Sequence, residues 1–159
     1  FGVLVGSRGA GGLLDRATVI QLHSRWALVA LAATGLHVLT VVGDPYSGIS
    51  PLAVFVPGVA QKLTVPVTLG TFALFGLTSL AVATFLADRI PKTVWRAIHA
   101  TAFGTYLLAL AHGVFAGSET QVPAVRALYL GTAAMLVAAF VQRVLLSLRP
   151  STSKDGTAP

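Results

Sequence analysis

The chain has 159 residues, of which 55% are hydrophobic and 10% charged, and its mean hydropathy is +0.80. A soluble domain carries roughly a quarter charged residues, so this composition excludes an ordinary water-soluble globule, a disordered chain and a nucleic-acid module. The net charge of +6 does not reverse that, because the basic residues stand between apolar runs and form no stripe, the pattern of a membrane protein with a basic cytoplasmic face.

At the N-terminus, Phe1 to Val5 reads as the last turn of an apolar segment. The chain has a single Met, Met135, and no basic–apolar–cleavage pattern of a signal peptide. The expectation is a chain preceded by one or more further helices. With no cysteine, disulfides, thiolate catalysis, cysteine-ligated zinc and iron–sulfur clusters are excluded.

A membrane span needs about 20 mostly apolar residues. The uncharged run between Arg25 and Asp44 holds 18 residues, that between Lys62 and Asp88 holds 25, that between Arg96 and Glu119 holds 22 and that between Arg126 and Arg143 holds 16. The first and last extend past their arginines, whose long side chains snorkel to the headgroups. The expected fold is therefore all-α: a polytopic membrane helix bundle with helices at 18–42, 65–87, 94–116 and 124–147. Gly43-Asp44-Pro45 stops the first. Pro66 and Pro123 suit the first turns of the second and fourth, Pro91 precedes the third, and Pro150 ends the fourth. Ser151–Pro159 reads as a short disordered tail.

Four spans put Arg8, Arg16, Arg25, Arg89, Lys92, Arg96, Arg143, Arg149 and Lys154 on one side and Lys62 and Arg126 on the other. This asymmetry predicts a cytoplasmic C-terminus and an outward-facing 43–64 segment.

All four histidines fall inside predicted spans, His23 and His37 in the first, His99 and His112 in the third. Ionisable side chains are costly in a bilayer and commonly functional. A single one reads more readily as a helix–helix hydrogen bond; two on each of two helices do not. The first and third spans run in the same direction. The spacings of 14 and 13 residues correspond to ~21 and ~20 Å of helix rise. His23 therefore lies level with His99 near the cytoplasmic end, and His37 level with His112 near the outer end. Each pair can offer two imidazole nitrogens from opposite sides to one iron, as a six-coordinate b-type haem requires. The predicted cofactors are two haem b, an inner one on His23 and His99 and an outer one on His37 and His112. At 100° per residue, a step of 14 returns to within about 40° of the same face, whereas a step of 13 leaves about 140°. The third span must therefore bend or twist, or present its two haems on different sides, and Gly104 lies where a distortion could form.

Small residues line both helices: Ala27, Ala30, Ala33, Thr34 and Gly35 on the first, Ala100, Ala102, Gly104, Ala109, Ala111 and Gly113 on the third. They suit a flat cofactor and suit plain helix packing equally. Phe103, Tyr106 and Trp26 suit a porphyrin face or lipid. Haem propionates need cationic or hydrogen-bonding partners. Arg25 and Arg96, with Gln21, Ser24 and Trp95 nearby, are the inner candidates, and setting topology is an equal alternative role for the two arginines. Arg126, Lys62, Tyr46 and Ser118 are the outer candidates.

The motifs Leu22-His23-Ser24-Arg25, Gly35-Leu36-His37-Val38-Leu39-Thr40, Trp95-Arg96-Ala97-Ile98-His99 and Leu110-Ala111-His112-Gly113 resemble the ferric reductase-like transmembrane haem domain. That superfamily includes ferric reductases, NADPH oxidases and the haem subunit of bacterial methionine sulfoxide reductase. Asp44-Pro45-Tyr46 and Gly117-Ser118-Glu119-Thr120 are similar to its stand-alone bacterial members. The resemblance covers residues 7–149, and the histidine spacing is its specific part. It implies bis-histidine haem b at two depths moving single electrons across a bacterial plasma membrane, with His23, His37, His99 and His112 as ligands.

Two departures matter. Many members begin with additional helices. The oxidases and ferric reductases continue into flavin and nicotinamide domains, whereas here few residues follow the last span and Gly9-Ala10-Gly11-Gly12 lacks the dinucleotide fingerprint. The expected electron donor or acceptor is a separate protein or a quinone in the bilayer, with the chain a subunit of a larger complex. The alternatives are a quinol-linked cytochrome b anchor and a pigment-binding or structural membrane subunit. A transporter or channel would want charge at mid-bilayer, which this sequence lacks.

Overall fold

The computed structural model describes residues 15–148. The readings made for Phe1–Val5, Arg8, Arg149, Lys154 and the tail 150–159 lie outside them.

Among the described residues six helices follow one another: α1 (Arg16–Gly43), α2 (Pro51–Phe55), α3 (Thr64–Phe85), α4 (Lys92–Ala100), α5 (Ala102–Ala116) and α6 (Pro123–Ser147). Four segments of the described residues are long and apolar enough to cross a bilayer: Ala17–Gly43, Thr64–Phe85, Lys92–Ala116 and Pro123–Leu146. The chain is an all-helical membrane bundle. Many large apolar side chains point outward, Leu28, Leu39, Phe85, Leu128 and Met135 among them, as lipid in place of water permits.

The helix ends follow from local chemistry. Asp15 caps α1, its Oδ1 accepting from the Thr18 backbone N–H at 3.2 Å. Past α1, Asp44 Oδ1 accepts from the Tyr46 N–H at 2.9 Å and turns the chain. Pro123 occupies the first turn of α6, where its missing N–H leaves no hydrogen bond unmade.

Two features depart from the sequence reading. The loop after α1 contains the short helix α2, begun by Ser50 and Pro51. It is tied to α3 by the buried Thr71, whose Oγ1 donates to the Ala53 carbonyl at 3.0 Å, a bond of about 1 kcal/mol. The third span is divided at Thr101 rather than distorted at Gly104. There the backbone N–H of Thr101 bonds to the Ile98 carbonyl three residues back, at 3.0 Å, and the Thr101 hydroxyl donates to the same carbonyl at 2.7 Å. A tightened turn of this kind winds more per residue than an α-helix. It lies between His99 and His112, where regular α-geometry would have left the two on different faces.

The central helix is α3. It packs most extensively against α5 and also meets α2 and α4, and it holds the buried Thr71, Ala73 and Ala83. Small residues allow the close approach. Gly70 faces His112 and Gly76 faces Thr105, an antiparallel register. By contrast, α1 is not among the helix pairs in extensive contact, and most of its side chains are exposed.

Candidate functional site

The structure brings the four histidines together in the two pairs that their depths predict. His23 of α1 and His99 of α4 have ring centres 6.0 Å apart and planes at 75°. His37 of α1 and His112 of α5 have ring centres 6.1 Å apart and planes at 74°. The same separation and angle recur at both ends of α1.

The separation tests what such a pair can hold. Two imidazoles on opposite faces of one metal, with about 2 Å per metal–nitrogen bond and roughly 1 Å from nitrogen to ring centre, stand about 6 Å apart. A direct N–H···N hydrogen bond of about 2.9 Å would bring the centres to about 5 Å. Edge-to-face aromatic packing covers the same range as the observed values, but incidental packing gives no reason for the geometry to repeat along a helix that makes little other contact. Among the described residues, no three or more His, Asp or Glu side chains cluster. The separation of each pair is therefore one that two ligands of a single metal would have.

The surroundings of the pairs differ. On α4, Trp95 lies one turn before His99 and stacks on it, with ring centres 4.6 Å apart and planes at 14°. Trp95 Nε1 and His99 Nδ1 are both buried without a hydrogen-bond partner. Buried polar atoms are seldom left unpaired, which sets these two apart from the rest of the described side chains. On α5, His112 Nδ1 lies 2.8 Å from the Pro66 carbonyl of α3. A carbonyl only accepts, so Nδ1 carries the proton and Nε2 keeps its lone pair for a metal.

The other predicted site residues are placed unevenly. Arg96 is exposed on α4 and turns back on its own helix, Nε donating to the Lys92 carbonyl at 3.3 Å. Arg25 is exposed on α1, two residues from His23, with no hydrogen bond or ion pair among the described residues. The Lys62 side chain lies over Gly48. Arg126 lines a cleft of about 400 Å³ with Val114, Thr120, Gln121, Tyr129 and Leu130. Phe103 packs edge-on to Phe140 of α6 at 5.7 Å, which makes it a helix–helix contact, and Trp26 is 60% exposed. The sequence reading placed Pro66 only at the start of the second span, did not include Gly70, and named Trp95 only as a polar neighbour. The i, i+4 spacing of Trp95 and His99 was a usable signal for their contact.

No family model, curated protein or solved structure matches this chain. The functional reading accordingly rests on the geometry of the histidine pairs.

Proposed function

We propose that the chain is a transmembrane di-haem b electron-transfer protein or subunit, akin to the ferric reductase-like haem domains its motifs resemble. The observation that carries this reading is the repeated histidine pair at metal-bridging separation. Haem iron, when bound, supplies reversible one-electron exchange. His23 and His99 would hold the inner group, and His37 and His112 the outer. With the two histidines of each pair holding one iron, such a group would keep no open position for a substrate, which favours electron transfer over oxygen binding.

The remaining side chains orient and shield. Trp95 restrains the His99 ring and offers an unused N–H. Arg25 and Arg96 supply positive charge at the inner end for carboxylates, and Arg126 and Lys62 supply it at the outer end. The apolar helices exclude water. By the distribution of basic residues, the inner pair lies on the cytoplasmic side of a bacterial plasma membrane. The donor and acceptor are then separate proteins of a larger complex or a quinone.

The cleft at Arg126 favours a second reading, a quinol-linked cytochrome b anchor. It joins a guanidinium and the Gln121 amide to apolar Val114 and Leu130 near the outer end of α5, a lining suited to a lipid-soluble molecule with acceptor oxygens.

The test is a reduced-minus-oxidised spectrum of the purified protein. A b-type α band with two haems per chain is expected. Protein that takes up no haem would overturn the proposal.

A further inference from the structure

Among the described residues, His112 is the only histidine whose ring makes a hydrogen bond, to the Pro66 carbonyl at 2.8 Å. The seat for that ring depends on the absence of a side chain at position 70. A Cβ on Gly70 would stand 2.7 Å from His112 Nδ1, 2.9 Å from Cε1 and 3.1 Å from Cγ, closer than side chains tolerate. Gly70 is mid-helix in α3, where glycine weakens a helix relative to alanine. Gly131, also inside a helix, meets nothing within 4 Å. The notch at Gly70 is therefore specific to the histidine.

The inner pair has no equivalent. His99 Nδ1 is buried without an acceptor and its face is covered by Trp95. Two pairs of matching spacing thus differ in what stands behind one ligand.

We propose that Gly70 and the Pro66 carbonyl form a positioning site for His112 that locks its Nδ1–H tautomer and lowers the reduction potential of the outer centre. This rests on the di-haem reading. An imidazole that donates its second N–H to an acceptor becomes a more basic ligand. A more basic ligand stabilises the oxidised metal over the reduced one, which moves the potential down. His99, with no acceptor, lacks this contribution. Gly70 and Pro66 act through His112 and touch neither metal nor substrate.

The test is a spectroelectrochemical titration of the purified membrane protein as wild type, Gly70→Ala and the control Gly131→Ala. The wave lost in His37→Ala identifies the outer centre. In Gly70→Ala the outer wave should move to higher potential, or the outer haem should be lost, while the inner wave stays in place. Both waves unmoved in Gly70→Ala would overturn the inference and leave the di-haem reading standing. Wild-type protein without haem would overturn both. Should Gly70→Ala fail to fold, the reduced wild-type protein decides by NMR, since low-spin ferrous haem with two histidines is diamagnetic. The Nδ1 proton of His112 should be shifted downfield of that of His99 by its hydrogen bond; coincident shifts would overturn the inference.

Discussion

Replacing His37 by alanine should halve the haem content and abolish electron transfer from one side of the bilayer to the other, with the inner centre intact. His37 is exposed on α1, and among the described residues its ring makes no hydrogen bond and no aromatic contact besides His112. Its removal therefore leaves no cavity in the bundle, and the fold should persist. A centre held by one remaining histidine loses an axial bond and much of its affinity. The inner pair lies 14 residues away along α1, about 21 Å by helix rise, too far for the substitution to reach it. Pyridine haemochrome assay should read the drop in haem per chain. Reduction of one face by an impermeant donor, with an acceptor enclosed on the other, should read the lost transfer. An unchanged haem content in His37→Ala would show that the outer pair is ordinary aromatic packing.

The second large effect concerns the α3–α5 contact. Gly76→Val should destabilise the bundle by about 1–3 kcal/mol, the usual cost of overpacking, and lower its melting temperature in detergent. A Cβ at position 76 would press on the Thr105 hydroxyl, and would lie 2.9 Å from Cγ2 and 3.1 Å from Cβ of that residue. Valine adds two methyls to that conflict. Gly131→Val, where a Cβ meets nothing within 4 Å, should cost nothing by overpacking and, by helix propensity, should not destabilise the helix. The smaller substitution Gly76→Ala should be rescued in part by Thr105→Ala, which removes the hydroxyl and methyl in the way. Such coupling is expected only of residues in contact. Because Gly76 and Gly70 lie on the same helix against α5, Gly76→Val should also lower outer haem content. A melting temperature equal to that of Gly131→Val would show that the two helices do not meet at Gly76.

Particular residues show how far one dimension of information reaches. The four spans were legible because hydrocarbon thickness imposes a length, and uncharged runs bounded by Arg25, Lys62, Arg96 and Arg126 meet it. Their observed ends agree with the predicted ones to within two residues. The short helix α2 was missed because five residues show no periodicity, although Ser50 and Pro51 formed a start signal. The break in the third span was sought at Gly104 because glycine is the customary mark of distortion. It lies at Thr101, where the hydroxyl and N–H both return to the Ile98 carbonyl, and threonine inside an apolar run gives no comparable sign.

The histidine pairs divide along the same line. Depth in a bilayer is counted in residues, so the spacing in α1 and in the third span placed His23 level with His99 and His37 level with His112 before any fold was known. Which faces meet is an angular property, set by how α3 and α5 pack through Gly70 and Gly76 and by the tightened turn at Thr101. The acceptor behind His112 is a backbone carbonyl of a kind every residue carries. Only the approach of two helices singles out Pro66 from the rest, because rise along a helix accumulates residue by residue, whereas azimuth and neighbours are fixed by side chains filling space together.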